Sequence, residues 1–199
     1  MNKLQRSFVR VVHDLDRTGH ATAVVGGLAV SARTEARFTR DVDLAVAVSG
    51  DADTEMLVRQ LIASGYGVVA MIEQEATGRF ATARLVPPGS DPDAVVVDLL
   101  FATAGIEPEV VAQATDLEIW PGTLGRVARV GHLIALKLLS RDPRRRPQDQ
   151  VDLVALIAAA DADELALAFE GARLIEERGF ARERRLVEDL QRLLAELSE

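Results

Sequence analysis

The chain has 199 residues, of which 48% are hydrophobic and 27% charged, and it carries a net charge of -8 at pH 7. This length predicts one domain, or one domain with a smaller lobe. The absence of cysteine excludes disulfides, zinc–thiolate sites and a thiol nucleophile, and the acidic balance disfavours a surface that coats nucleic acid broadly.

The sequence shows no sign of a membrane segment. No apolar run approaches the roughly 20 residues that are needed to span a bilayer. Residues 1–19 carry charges throughout and lack the apolar core of a secretory signal. We therefore expect a cytoplasmic protein with no membrane partner.

The first 130 residues alternate between helical and strand-like patterns. Apolar spacing predicts a helix over residues 3–18 and a short buried strand over 21–25, which the glycine pair Gly26-Gly27 ends. Residues 125–130 are ambiguous. Further helices are predicted over 28–35, 53–64 and 106–114, further strands over 42–48, 68–72, 80–86, 94–101 and 115–120, and a loop over 87–93.

After Gly131 the pattern becomes entirely helical. Four amphipathic segments follow, at 132–140, 147–160, 162–179 and 181–199. Pro147 suits a first helical turn, and Gly179 suits a break between two helices. The fold class is therefore α/β: a mixed sheet flanked by helices over residues 1–130, followed by a smaller C-terminal helical lobe over 131–199.

Three aspartates stand out within strand-like segments. Asp41 and Asp43 are two residues apart, so their side chains share one face of a strand, about 7 Å apart. Asp98 lies alone among apolar neighbours. Carboxylates in an apolar setting repel one another unless a cation joins them, and Mg²⁺ prefers carboxylate and phosphate oxygens. In the alternative interpretation, Asp41 begins the strand, Asp43 lies at an exposed edge and Asp98 pairs with an arginine.

Residues around the aspartates suit phosphate binding. A glycine pair between a strand and a helix lets backbone N–H groups approach an anion, although such pairs also form plain turns. Arg37 and Thr39 precede the aspartates and could contact phosphate oxygens, or Arg37 could pair with Glu35. The chain has only two lysines, and Lys137 lies in an otherwise apolar helix.

The stretches "VVGGLAVSARTEARFTRDVDLAV" and "VVVDLLF" resemble the nucleotidyltransferase superfamily signature. That signature joins a glycine turn, a strand with two acids one residue apart, and a third carboxylate on a later strand. The resemblance is closest to the AbiEii-like and MenT-like toxin nucleotidyltransferases, and it covers most of residues 21–156. In that group a helical segment similar to "ALKLLSRDPRRRPQDQVDLVAL" carries a lysine, then arginines and two aspartates.

The resemblance implies a role for each matching residue. Asp41, Asp43 and Asp98 would hold Mg²⁺, in a two-metal site that binds the attacking and leaving oxygens. The nucleotide-binding residues would be Gly26, Gly27, Arg37, Thr39, Lys137, Arg145, Arg146 and Asp149. The catalytic residues would be Asp41, Asp43, Asp98 and Lys137.

Structural alternatives exist for the charged residues of the helical segment. Arg145 and Arg146 could solvate a loop and pair with Asp142 or Asp149. Asp149 could serve as a charge at a helix N-terminus, or it could orient Lys137 or an arginine together with Asp152. The isolated histidines His13, His20 and His132 are interpreted as structural.

Three functional hypotheses follow. The first is an NTP-dependent nucleotidyltransferase that moves a nucleoside monophosphate to RNA, such as a tRNA 3′ end, as a toxin with a cognate antitoxin. The second keeps this chemistry but uses a small molecule similar to an aminoglycoside, or a protein side chain, as the acceptor. The third is a regulatory module that has the fold but does not catalyse.

Overall fold

In a computed structural model, which describes residues 1–75, 77–89, 95–142 and 147–197, seven strands form one mixed sheet. The strands are β1 (Thr22–Val25), β2 (Val42–Val46), β3 (Gly67–Glu73), β4 (Phe80–Val86), β5 (Val97–Leu100), β6 (Thr115–Trp120) and β7 (Thr123–Val127). Their order is β3-β4-β5-β2-β1-β7-β6. β2 pairs with β5 and β1 with β7 in parallel, and the other neighbours are antiparallel.

Helices surround this sheet and make up the C-terminal third of the chain. The helices are α1 (Lys3–Asp16), α2 (Gly26–Arg33), α3 (Asp51–Ala63), α4 (Glu107–Ala112), α5 (Val130–Ser140), α6 (Pro147–Ala159), α7 (Ala162–Glu177) and α8 (Leu186–Leu197). The side chains of Asn2 and Asp161 cap α1 and α7 by accepting hydrogen bonds from backbone N–H groups. The predicted class, an α/β fold with a mixed sheet flanked by helices, is confirmed.

Three elements differ from the prediction in a way that matters for the site. The segment 125–130, which the sequence left ambiguous, contributes to β7. Helix α2 begins at Gly26 rather than at residue 28, because β1 leads directly into it. Helix α8 begins at Leu186 rather than at 181, because Arg182 and Glu183 have positive φ angles that no α-helix accepts.

The hydrophobic core lies on both faces of the central strands. β1, β2 and β5 are buried almost throughout, whereas β3, at one edge of the sheet, is exposed along nearly its whole length. Buried residues of α5 to α8 belong to the same hydrophobic cluster as those of the sheet. The division of the chain at residue 130 stays a prediction. Within the described ranges, no helix is both long and apolar enough to cross a membrane.

Candidate active site

The sheet brings the three aspartates to one cavity. In the parallel pair β2–β5, Asp43 lies directly opposite Asp98, and paired residues of neighbouring strands share a face of the sheet. Asp41 lies two residues before Asp43 and just outside β2. All three line a cavity of about 570 Å³. The three carboxylates therefore reach one cavity, and that they share a metal ion stays a prediction.

The charge of Asp43 is disfavoured by its surroundings. Burial raises the pKa of this carboxyl to about 6, and the nearby negative charges of Asp98 and Asp41 contribute to the rise. Lys137 and a hydrogen bond from the Gly27 backbone act in the opposite direction. A cation at this point would relieve the unfavourable interactions among the carboxylates.

Arg84 on β4 supplies one such cation to Asp98. Its Nε and Nη2 atoms donate to the two carboxylate oxygens of Asp98 over 2.9 and 2.7 Å. This hydrogen bonding raises the pKa of Arg84, and Asp98 is only 7% exposed. The interpretation in which Asp98 pairs with an arginine thus describes a real contact. It holds together with the convergence of the carboxylates, because β5 lies between β4 and β2.

The glycine pair makes room for the side chains that follow it. Gly26 has φ +62°, and a Cβ atom there would lie 2.0 Å from Oδ2 of Asp43. A Cβ atom on Gly27 would lie 2.8 Å from both Arg37 Nη2 and Thr39 Oγ1. The glycines therefore let the start of α2 pack directly against the carboxylate, the guanidinium and the hydroxyl group that line the cavity.

Lys137 is held by two buried aspartates of α6. Its Nζ lies 2.6 Å from Oδ1 of Asp149 and 2.8 Å from Oδ2 of Asp152. Arg37 also contacts Asp152, over 2.7 Å, so its partner is this residue rather than Glu35. Burial alone would raise the pKa of Asp152, but hydrogen bonds from Lys137 and Gln148, with the positive charges of Lys137 and Arg37, lower it.

The two interpretations of Asp149 are compatible, because this residue lies in the first turn of α6 and also contacts Lys137. Asp149 and Asp152 orient Lys137, and Asp152 also orients Arg37, as the resemblance implies. Arg145 and Arg146 lie outside the described residues. The other predicted site residues all line the same cavity: Gly26, Gly27, Arg37, Thr39, Asp41, Asp43, Asp98, Lys137 and Asp149.

Sequence reasoning missed several residues that line the cavity. Arg84 could have been found, since it is a lone charge within the apolar strand "FATARLV" just as Asp98 is within its own strand. Ser140, whose Oγ donates to Asp149 over 3.0 Å, follows Lys137 by three residues on α5. Arg182 comes from the turn before α8 and no local pattern connects it to the site.

The residues present fit a divalent cation at Asp41 and Asp43. Their oxygens are hard ligands of the kind that Mg²⁺ takes, and a cation there would offset the burial and the neighbouring negative charges that raise the pKa of Asp43. Among the described residues, no three acidic or histidine side chains already surround a common point. Asp98 would bring the Arg84 guanidinium with it to such a set, because that guanidinium donates a hydrogen bond to each of its carboxylate oxygens.

The fold and the site together define a nucleotidyltransferase. Two acids on one strand, a third on its parallel neighbour, a glycine turn and a lysine share one cavity, and this is the arrangement that the sequence resemblance predicts. A family model for the nucleotidyl transferase AbiEii toxin of type IV toxin–antitoxin systems matches residues 13–198. The chain therefore belongs to the AbiEii nucleotidyltransferase family.

Solved structures agree with the fold. A crystal structure of an antigenic nucleotidyltransferase-like protein from Paracoccidioides brasiliensis is 21% identical, with a TM-score of 0.53 and 88% of each chain covered. ANT(2″)-Ia in complex with adenylyl-2″-tobramycin is 16% identical, with a TM-score of 0.54, covering 87% of this chain and 98% of that chain. No curated protein sequence matches significantly.

Proposed function

We propose that this nucleotidyltransferase transfers a nucleoside monophosphate from an NTP to a hydroxyl group of RNA, with a tRNA 3′ end as the first candidate. The observation that supports the transfer chemistry is the register of Asp43 opposite Asp98, with Lys137 lining the same cavity. The RNA acceptor and the toxin role rest on family membership. The same membership implies a cognate antitoxin, and we expect the pair to act in the cytoplasm.

The proposed reaction is a balanced displacement at phosphorus. The acceptor oxygen forms a bond to the α-phosphorus of the NTP. The bond between the α-phosphorus and the oxygen that bridges to the β-phosphate breaks, and pyrophosphate leaves. The hydroxyl proton passes to a base, for which Asp98 is the candidate once it is free of Arg84. Such a transfer depends mainly on positioning and charge neutralisation.

We assign this work to different side chains of the cavity. Asp41 and Asp43 would hold Mg²⁺, which when bound neutralises phosphate charge and aligns the attacking and leaving oxygens; a two-metal site would also use Asp98. Asp149 and Asp152 fix the Lys137 ammonium, which would serve as a point charge for the triphosphate. The backbone of Gly26 and Gly27 leaves space for the phosphates.

The test is transfer of label from each of the four [α-³²P]NTPs to total RNA. We expect wild type to label RNA and Asp43→Asn to lose at least about 100-fold in rate, because the amide cannot neutralise a metal ion. Since burial raises the pKa of Asp43, its charge opposes folding above pH 6, so the variant should be at least as stable as wild type. Asp116→Asn, a surface change on β6, is the matched control. Equal labelling by wild type and Asp43→Asn would refute the proposal.

A second candidate acceptor is a small polycationic molecule similar to an aminoglycoside. The similar fold of ANT(2″)-Ia, whose complex contains an adenylylated tobramycin, and the net charge of -8 favour this alternative. Mass spectrometry after incubation with NTP and tobramycin, or with a bacterial protein extract, would show one added nucleoside monophosphate on the true acceptor. Calorimetry that detects no binding of Mg²⁺–NTP would instead indicate a regulatory module.

A further inference from the structure

A strained turn precedes the last helix. Arg182 and Glu183 have φ angles of 53° and 61°, and they are the non-glycine residues with positive φ in the described part of the chain. Residues other than glycine adopt this left-handed backbone conformation at an energetic cost, and the conformation persists only where the surroundings enforce it. The helical pattern of residues 181–199 would otherwise let α8 begin earlier.

Contacts on both sides enforce the turn. Nη1 of Arg184 donates to the carbonyl oxygens of Leu138, Leu139 and Arg141 over 2.6, 3.1 and 3.2 Å. These carbonyls lie at the C-terminal end of α5, and that of Leu138 belongs to the residue directly after Lys137. Arg184 thereby caps α5 and fixes the turn against the helix that carries the site lysine.

The other side of the turn packs on the segment that follows β5. Phe180 is 6% exposed, and its ring occupies the space beside Gly105, where a Cβ atom would lie 2.6 Å from the ring. Arg178 donates to the carbonyl oxygen of Gly105 and pairs with Glu109. The strained turn is thus held between the helix of Lys137 and the segment after the strand of Asp98.

Between these two supports, Arg182 lines the cavity of the three aspartates. Its side chain is exposed, and within the described residues it has no hydrogen-bond or ion-pair partner. The other basic lining residues differ in this respect, because Arg37, Arg84 and Lys137 each contact an aspartate. Arg182 is therefore a cation that the fold directs toward the cavity without neutralising it.

We propose that Arg182 is a substrate-binding residue that contacts a phosphate group. The Arg184 cap and the packing of Phe180 hold the left-handed turn, and the turn places Arg182, a cation with no partner among the described residues, at the cavity. The guanidinium matches phosphate geometry through two parallel hydrogen bonds. The phosphate belongs either to the NTP or to a nucleic-acid acceptor, so this inference rests on the proposed function.

Four variants test this role through binding rather than turnover. Arg182→Gln removes the charge, Arg182→Lys keeps it, and Arg182→Gly removes both the charge and the strain. Arg185→Gln is the matched control, because Arg185 lies in the same turn and pairs with Glu188 over 2.7 Å without lining the cavity. The probes are inorganic tripolyphosphate and the four Mg²⁺–NTPs by calorimetry, and total tRNA by fluorescence anisotropy.

We expect Arg182→Gln and Arg182→Gly to weaken the binding of one class of probe by about tenfold. Arg182→Lys should keep part of this affinity, and the control should bind as wild type does. Arg182→Gly should also raise Tm by about 2–4 °C, since glycine accepts the left-handed backbone. Weaker binding of tripolyphosphate and NTPs assigns the contact to the triphosphate, and weaker binding of tRNA assigns it to the acceptor.

Unchanged affinity of Arg182→Gln and Arg182→Gly for every probe would overturn the assignment, and so would a wild-type protein that binds neither class. These outcomes are distinct from failure of the proposed reaction. A protein that binds NTPs through Arg182 but transfers no label would retain the binding role while the transfer proposal fails.

Discussion

At the scale of single residues, the site contains a competition for Asp98. Arg84 donates a hydrogen bond to each carboxylate oxygen of Asp98, so its positive charge lies beside the atoms that would coordinate a metal ion. Asp43, opposite Asp98 across the β2–β5 pair, has no arginine of its own among the described residues. A side chain of the protein therefore balances part of the acidic cluster, and the other part is where we propose that a divalent cation binds.

Replacing Arg84 tests this competition directly. We expect Arg84→Gln to bind Mg²⁺ or Mn²⁺ about fivefold more tightly, because the change removes a positive charge beside the carboxylates and frees Asp98, an effect of about 1 kcal/mol. Calorimetry with Mg²⁺, or titration of the electron paramagnetic resonance signal of Mn²⁺, measures the affinity without turnover. Arg79→Gln is the control, since Arg79 pairs with Asp51 outside the cavity. Weaker metal binding by Arg84→Gln would show that Arg84 supports the metal site instead.

At the scale of elements, the strand pattern predicted which residues lie in strands but not which charges are paired with one another. The apolar runs around Asp43 and Asp98 were sufficient to place both residues in strands, and the sheet order shows that both strands are internal. The register that sets them opposite one another, and the position of β4 that brings Arg84 to Asp98, depend on sheet order. Sheet order is set by long-range packing, so no local pattern in this chain contains it.

The C-terminal helices also show that a local sequence pattern does not contain long-range contacts. Helical spacing predicted all four segments, and Pro147 marks the start of α6 as expected. The late start of α8 follows from the cap that Arg184 provides to α5, 43 to 46 residues away in sequence. A contact at that distance overrides the local helical preference of residues 181–185.

The junction between β1 and α2 gives a prediction at this scale. We expect Gly26→Ala to lower the free energy of unfolding by at least about 2 kcal/mol, because a Cβ atom at φ +62° would be strained and would lie 2.0 Å from Asp43 Oδ2. Urea denaturation with the metal chelated gives the value. Gly122→Ala is the matched control: Gly122 has φ +74°, but a Cβ atom there would meet no other atom within 4 Å, so the variant isolates a backbone cost of about 1 kcal/mol.

Equal losses in the two glycine variants would show that contact with Asp43 is not what requires glycine at position 26. A larger loss in Gly26→Ala, accompanied by weaker Mg²⁺ binding, would connect the turn to the position of the carboxylate. This comparison separates the cost of the backbone conformation from the cost of close packing. The sequence alone could not separate them, because the pair Gly26-Gly27 predicts a turn whichever of the two requires glycine.

At the scale of the whole molecule, buried charges join the helices to the sheet. Asp152, 1% exposed, receives Lys137 from α5 and Arg37 from the segment before β2. Removing one partner from such a cluster leaves an uncompensated buried charge and is strongly destabilising. The same contacts that orient the proposed nucleotide-binding cations therefore also fix α5 and α6 against the segment that leads into β2.

Stability as a function of pH gives a prediction for the whole molecule through His132. This residue of α5 is 2% exposed, and its Nδ1 atom has no hydrogen-bond partner within the described residues. Burial lowers the pKa of His132 to about 4, and the charge of Arg129 contributes to the decrease, against the opposing effects of Glu164 and Glu109. The neutral ring is therefore the form that the fold accepts, as the structural interpretation of this histidine requires.

The direction in which stability changes with pH follows from the pKa of His132 in the folded chain, about 4, and in the unfolded chain, about 6.5. Above pH 6.5 the imidazole is neutral in both the folded and the unfolded chain, so the histidine adds no pH dependence. As the pH falls from about 6.5 to about 4, the unfolded chain binds a proton that the folded chain does not, and stability decreases by about 3 kcal/mol. Asp43 acts in the opposite direction, because its folded pKa of about 6 favours the folded state as it takes up a proton.

Because the two effects oppose one another, the informative quantity is the difference between wild type and His132→Leu at each pH. We expect this difference to be constant from pH 7 to 8.5 and to shift by about 3 kcal/mol in favour of the variant as the pH falls toward 4. Urea denaturation of both proteins with the metal chelated measures it. Asp43→Asn should shift the other way over the same range, losing stability relative to wild type below pH 6. A pH-independent difference for His132→Leu would mean that the ring can accept a proton within the fold, and that α5 moves enough to admit water.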